Sequence, residues 1–178
     1  DKREKFKSFN SEDDYLKILE SEHNGMSIES YLNKGLDSLE LPFNETMKIT
    51  YKNKAIKLGD QLYFNPFLFD RFTENPFKAQ DRLYPVDFII PIEQRMNILV
   101  KIPEGWQVQE LPKNVRMLLP DKSATILFNA AIVNNMIQIS FKLNINKAIY
   151  IQNEYNDLKI FFDELVKKES EMIVLKKI

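Results

Sequence analysis

Cysteine is absent from the 178 residues, which removes disulfides, thiolate nucleophiles and sulfur ligands together. Its absence does not identify a compartment, because secreted domains with a large core can do without disulfides. Histidine occurs once, as His23. A cluster of histidine metal ligands is therefore excluded, and a serine-histidine-aspartate triad could draw only on the polar stretch "SEHNG" beside a helix end. At such a position the helix dipole favours a protonated imidazole, so His23 reads as a solvated residue of a last turn. Four glycines are too few for phosphate cradles, and no G-x-G-x-x-G, Walker-type or G-x-S-x-G motif occurs. Every apolar run is interrupted by Asn, Lys or Gln well short of the roughly 18 residues that suggest a membrane span. An excess of one charge is missing as well. With 25 basic against 26 acidic residues, no whole-chain field gathers phosphates, which argues against nucleic acid as a partner. The residues present call for no metal and no cofactor.

What is present is a hydrophobic fraction of 44% and an aromatic fraction of 12%. A chain of this length buries roughly 70% of the surface its unfolded form exposes, enough for one core. The N-terminal "DKREKFKSFNSEDDYLKIL" is charged and lacks the apolar centre of a secretory signal. It also lacks an initiator methionine, so Asp1 reads as a cut inside a longer polypeptide or as the start of a processed form, and the residues themselves leave localisation open.

Along the chain, Ser11 followed by Glu12, Asp13 and Asp14 forms a cap and acidic first turn, with Tyr15, Leu16 and Leu19 at helical spacing. This predicts an N-terminal helix within residues 1–24, ended by Asn24-Gly25. Residues 27–34 read as a weak strand. From residue 44 the period becomes two: Met47, Ile49 and Tyr51 alternate with Lys48, Thr50 and Lys52. Strands continue with Met96, Ile98, Val100 and Ile102, then Trp106 and Val108, then Val115, Met117 and Leu119, then Ile126 and Phe128, with turns at "PEG", Pro120-Asp121 and Asn134-Asn135. Ile137, Ile139, Phe141, Leu143 and Ile145 alternate with polar residues without exception. Tyr155, Leu158, Phe161, Phe162, Leu165 and Val166 then form one face of a helix over residues 153–169, closing in Lys167-Lys168, and a last strand follows over 171–177. The expected fold is mainly β (α+β), an antiparallel β-sandwich with an N-terminal helix and a C-terminal helix followed by a last strand. No linker rich in glycine or serine interrupts residues 1–178, so they are taken as one domain.

The stretch "LYFNPFLFDRFTENPFKAQDRLYPVDF", residues 62–88, holds eight aromatics and no clear period. Asn65-Pro66, Asn75-Pro76 and Tyr84-Pro85 each hold the residue before proline extended, so this segment wraps and does not coil. Tyr63, Phe64, Phe67, Phe69, Phe72 and Phe77 read either as an exposed ligand or partner surface or as a buried plug. A long connection needs apolar packing of its own, which favours the plug. Asp70, Glu74, Asp81 and Asp87 lie in the same stretch. Two carboxyls near aromatic platforms are what a glycosidase requires, but loop carboxylates mostly pair with neighbours such as Arg71 and Arg82 or bond to backbone N–H groups.

Four segments taken in order, "LYFNPFL", "ENPFKAQDRLYPVDF", "IPEGWQVQELPKN" with a downstream "LP", and "EYNDLKIFFDELVKKESEMIVLKK", resemble the C-terminal region of bacterial transglutaminase-like proteins. In that family a β-rich domain precedes a transglutaminase/protease-like core and a second β-rich domain of unknown function closes the chain. The resemblance runs from about Leu62 to Lys177. The family core uses a Cys-His-Asp constellation. This chain has no cysteine, and His23 is outside the family's histidine context, so no catalytic residue carries over. The positions that match are Asn65, Pro66, Asn75, Pro76, Phe77, Arg82, Tyr84 and Pro85, and with Phe67 and Phe72 they read as scaffold or interface residues.

The resemblance thus implies a non-catalytic accessory module, not itself an enzyme, that packs on or positions the adjacent transglutaminase-like domain of the same polypeptide. It also implies an extracytoplasmic setting in the cell envelope, at the periplasm or cell surface. The alternative expectation is a stand-alone carbohydrate- or protein-binding β-sandwich using exposed aromatics, with a glycan or protein ligand. A carboxylate-dependent hydrolase built on Asp70 and Glu74 comes third.

Overall fold

The computed structural model describes residues 2–38 and 40–178. Residues 1–178, expected as one domain, divide into two compact units, Asp1–Lys54 and Ala55–Ile178.

In the first unit the expected helix is α2 (Glu12–Glu22), preceded by a separate short helix α1 (Lys2–Lys7). Ser11 is the expected cap: it takes an extended backbone and accepts the Asp14 N–H on its side chain, so α2 starts there and α1 is the addition within residues 1–24. Strands β1 (Met26–Lys34) and β2 (Asn44–Tyr51) pair antiparallel, with a bulge between Ile28 and Ser30. Gly25, at φ +84°, makes the turn into β1, and a Cβ there would meet the Lys52 carbonyl oxygen at 2.9 Å. Tyr15 is buried against Phe6, Phe9 and Tyr31, and the hydroxyls of Tyr15 and Tyr31 both donate to Glu45 Oε1, at 2.7 and 2.8 Å.

The second unit holds β3 (Ala55–Leu58), β4 (Gln61–Phe64), β5 (Val86–Asp87), β6 (Ile92–Lys101), β7 (Trp106–Glu110), β8 (Val115–Leu118), β9 (Ala124–Val133), β10 (Met136–Ile145), β11 (Ile149–Tyr150), α3 (Tyr155–Ser170) and β12 (Ile173–Lys177). Two four-stranded antiparallel sheets, ordered β6-β10-β9-β8 and β3-β4-β12-β7, contribute to one core, and β5 and β11 make a small ribbon. The expected β-sandwich with a helix before its last strand is thus the architecture found. The alternation in β10 puts Ile137, Ile139, Phe141, Leu143 and Ile145 at no more than 2% exposure. Its hairpin with β9 turns at Asn134 and Asn135, both at positive φ, as a two-residue hairpin turn of the primed kind requires.

Helix α3 starts after a single 3-10 turn at Gln152–Glu154 and buries Tyr155, Leu158, Phe161, Phe162 and Leu165 in the same core. It runs past the expected Lys167-Lys168 end. Lys168 is itself buried, donating to the Lys113 carbonyl and to Glu171 with its ammonium 5.0 Å from the Phe128 ring centre. Among the described residues no helix is long and apolar enough to cross a membrane.

Candidate functional site

Residues 65–85 form neither helix nor strand, so their backbone groups need partners outside any ladder. Helix α3 supplies several of them. The Asn65 carboxamide accepts from Phe67 N–H at 2.8 Å and donates to the Glu169 carbonyl at 2.8 Å. Asn75 repeats the arrangement, accepting from Phe77 N–H at 2.8 Å and donating to the Lys159 carbonyl at 2.9 Å and to Asp163 Oδ1 at 2.7 Å. Each asparagine is followed by proline and then by a phenylalanine that enters the core, Phe67 at 3% and Phe77 at 7% exposure. The two triplets are ten residues apart, and so are the two carbonyls they reach. Ten residues of helix span about 15 Å. Between the staples Glu169 Oε2 accepts Phe72 N–H at 2.6 Å, and beyond them Tyr155 Oη and Lys159 Nζ both donate to the Ala79 carbonyl at 3.0 Å. The segment therefore runs antiparallel along α3, pinned at Asn65, Phe72, Asn75 and Ala79.

Most rings of the stretch turn inward. Phe67 packs on Phe128 and Phe141, Phe72 on Phe162, and Phe77 on Phe88, Tyr155 and Phe162. Of the eight aromatics only Tyr84 is fully exposed, while Tyr63, Phe64, Phe69, Phe72 and Phe88 are half-buried. Phe67 and Phe77 are thus buried as a plug would have them, and Phe64, Phe72 and Phe88 pack partly buried against the same core. The asparagine staples were missed in the sequence, although the twofold occurrence of Asn-Pro-Phe at a spacing of ten could have found them. Asn75→Ala removes three hydrogen bonds and leaves Phe77 N–H without its acceptor. It is expected to cost about 1–3 kcal/mol in urea unfolding. Asn75→Asp should cost no less, because it sets a carboxylate against Asp163 and the Lys159 carbonyl.

Glu74 and Asp87 of the stretch each have a separate partner. Glu74 pairs with Lys78 at 2.7 Å, and that bond holds its carboxyl below the usual carboxylate range. Asp87 Oδ1 accepts Ile89 N–H at 2.7 Å, the backbone role expected of loop acids, and Asp81 is exposed. Asp70 stands at positive φ, and its carbonyl accepts from Gln94 Nε2. Among the described residues no group of three or more His, Asp or Glu could hold a metal.

A cavity of about 390 Å³ opens beside the pinned segment. Phe72, Phe77, Leu143, Ile145 and Phe162 make its apolar wall, and Arg82, Asp87 and Gln94 bring polar groups to it. Pro76 lines it too, whereas Asn65, Pro66 and Phe67 serve the core and staple away from it. Around its chain segments the apolar residues Leu83, Tyr84, Ile89 and Ile90 are 66–85% exposed, and Pro85 between them is exposed as well. Neighbouring Ile149 and Ile151, on and after the strand that pairs with β5, are 49% and 53% exposed.

The chain is similar over part of its length to a crystal structure of a "putative protease" from Parabacteroides distasonis ATCC 8503, with 15% identity and a TM-score of 0.48, covering 55% of this chain and 19% of that one. This chain thus spans about a fifth of that protein's length. No curated protein matches it. A family model described as a domain of unknown function with a solved structure, DUF3858, matches residues 60–175, which takes in nearly all of the second compact unit. The chain belongs to the DUF3858 family.

Proposed function

We propose that this chain is a non-catalytic accessory module of an extracytoplasmic transglutaminase-like protein and docks on that protein's catalytic domain. The observation that carries the reading is the exposure of Leu83, Tyr84, Ile89 and Ile90, at 81%, 78%, 85% and 66%, on a segment otherwise anchored in the core. Exposed apolar residues grouped on an ordered scaffold mark an interaction surface. The burial of Val86 and the pairing of β5 with β11 support the same reading, since a surface held in place loses little entropy when a partner covers it. The resemblance of residues 62–177 to the closing β-rich domain of transglutaminase-like proteins supplies the identity of the partner and the cell-envelope setting.

The test is the doubly substituted variant Leu83→Asp with Ile90→Asp. Both side chains face water, so thermal unfolding of this chain should move by no more than about 0.5 kcal/mol per site. Association with the catalytic domain, followed by isothermal titration calorimetry, should fall at least tenfold. Wild-type binding by the doubly substituted variant would overturn the assignment of the surface, and a wild-type chain that does not bind that domain would overturn the reading as a whole.

A further inference from the structure

Three features of the second unit are left without a role by the accessory-module reading: the cavity beside the stapled segment, the polar groove on the outer face of β6, β10 and β9, and the buried Glu169. The groove sets Asn97, Ser140 and Asn129 in one row across the sheet. It holds no charge and no aromatic ring to select a ligand. Glu169 is enclosed and serves the fold. The cavity has a size, a chemistry and an unmatched charge.

Its floor is the core itself, because Phe77 and Phe162 are 7% and 1% exposed. A ligand entering it meets aromatic rings and aliphatic side chains, with Arg82, Asp87 and Gln94 as the polar side chains of its lining. An apolar cavity of about 150 Å³ accepts benzene, so 390 Å³ has room for two groups of that size. On the rim, the Gln94 amide is committed to the Asp70 carbonyl and Asp87 to Ile89 N–H. Arg82 has neither a hydrogen-bond nor an ion-pair partner among the described residues, and neither Asp81 nor Asp87 lies within ion-pair distance of it. A guanidinium presents a planar fork suited to a carboxylate.

We propose that this cavity is a socket for a segment of a partner polypeptide bearing two apolar side chains and one carboxylate, the carboxylate pairing with Arg82. The exposed apolar residues that flank the lining residues Arg82, Val86, Asp87 and Phe88 in the chain favour a polypeptide over a free small acid. A small molecule would fill the cavity and leave Leu83, Tyr84, Ile89 and Ile90 in water, whereas a polypeptide covers them as its side chains enter. Buried apolar anchors at the centre with a charged pair at the edge is the arrangement in which a few side chains carry most of the binding energy. The inference rests on the accessory-module reading only for the owner of that segment, which is then the neighbouring catalytic domain.

The experiment compares wild type, Arg82→Lys and Arg82→Glu, all exposed substitutions that leave the core untouched, in two titrations. In the first the titrant is the catalytic domain. In the second it is the capped tripeptide acetyl-Phe-Leu-Glu-amide set against its Gln analogue, followed by chemical-shift changes at Phe72, Phe77 and Phe88. We expect Arg82→Glu to weaken catalytic-domain binding at least tenfold with a shallower salt dependence, Arg82→Lys to stay within about threefold, and the Glu peptide to bind at least fivefold tighter than the Gln peptide to wild type, with the preference kept in part by Arg82→Lys and lost in Arg82→Glu. Catalytic-domain binding unchanged by Arg82→Glu would overturn the socket while leaving the accessory reading intact. Discrimination between the peptides by a chain that ignores the catalytic domain would keep the socket and overturn that reading. Equal response to both peptides, or occupation of the cavity by octanoate but by neither peptide, would overturn a polypeptide occupant.

Discussion

Replacing Phe67 with alanine is expected to destabilise the unit Ala55–Ile178 by about 3–5 kcal/mol, the usual cost of emptying a fully packed phenylalanine site. The ring is 3% exposed and meets Phe128 at 6.2 Å and Phe141 edge-on at 5.4 Å. Phe128 and Phe141 stand directly opposite each other on β9 and β10, so the ring closes over the middle of the larger sheet. Its site cannot collapse easily, because the backbone N–H of the same residue is held by Asn65 and the strands are held by their own ladder. A domain is stable by only about 5–15 kcal/mol in total, so the loss is a large share. The single tryptophan, Trp106, lies in β7 packed against this core, and its fluorescence reports the unit's urea transition. A midpoint equal to that of the wild type would show that Phe67 is not part of the core. Tyr84→Ala is the control, since a ring 78% exposed should shift the transition little.

The same ring shows what could be read before the structure and what could not. The strand β10 and the helix α3 were legible because a period of two and a period of 3.6 each put apolar residues on one face. The turn at Asn134-Asn135 was legible because asparagine tolerates positive φ. Alternation reports which side chains share a face and is silent on which strands are neighbours. Nothing local therefore says that β12 lies between β4 and β7, or that β6 pairs with β10 across 34 intervening residues. The stretch 62–88 has no period at all, so the fate of Phe67 and Phe77 depended on partners far away in the chain. Asn65 and Asn75 are turn residues before proline, but their donors reach a helix 104 and 84 residues further on, respectively. Arg82 was legible as a candidate, and its lack of a hydrogen-bond or ion-pair partner among the described residues was not, because a missing partner is a property of the fold. Glu169 was the least legible. A charged residue in the last turn of an amphipathic helix reads as solvated, and it is the stapled segment laid over that turn that buries it.

That burial carries the second large expectation. Glu169 is completely enclosed, with Oε2 accepting Phe72 N–H at 2.6 Å and Oε1 without a partner. Desolvation pushes its carboxyl up from the ordinary value near 4.5 to about 7, against the opposing pull of the Phe72 N–H and the charge of Arg71. Between pH 4.5 and 7 the folded chain then holds a proton that the unfolded chain has released, so stability falls as pH rises across that window and levels off above it. At roughly 1.36 kcal/mol per unit of pKa the loss is about 3 kcal/mol. The carboxyls of Glu29, Glu74, Glu93, Glu154 and Asp121 are held low by their partners and act the other way, losing their contribution only as pH drops below the ordinary carboxylate range. Glu169→Gln offers Phe72 N–H a neutral acceptor of the same shape and cannot ionise. Comparison of urea unfolding at pH 5 and pH 8 should show the wild type losing about 3 kcal/mol more than this variant, every other titrating group being common to both. Because Glu169 holds Phe72 between the two asparagine staples, its ionisation should also loosen the stapled segment first, seen as faster amide exchange at Phe72 than in the strands of the core. Parallel pH dependences for wild type and Glu169→Gln would mean that the carboxyl is already ionised at pH 5, and that solvent or Arg71 compensates its charge inside the fold.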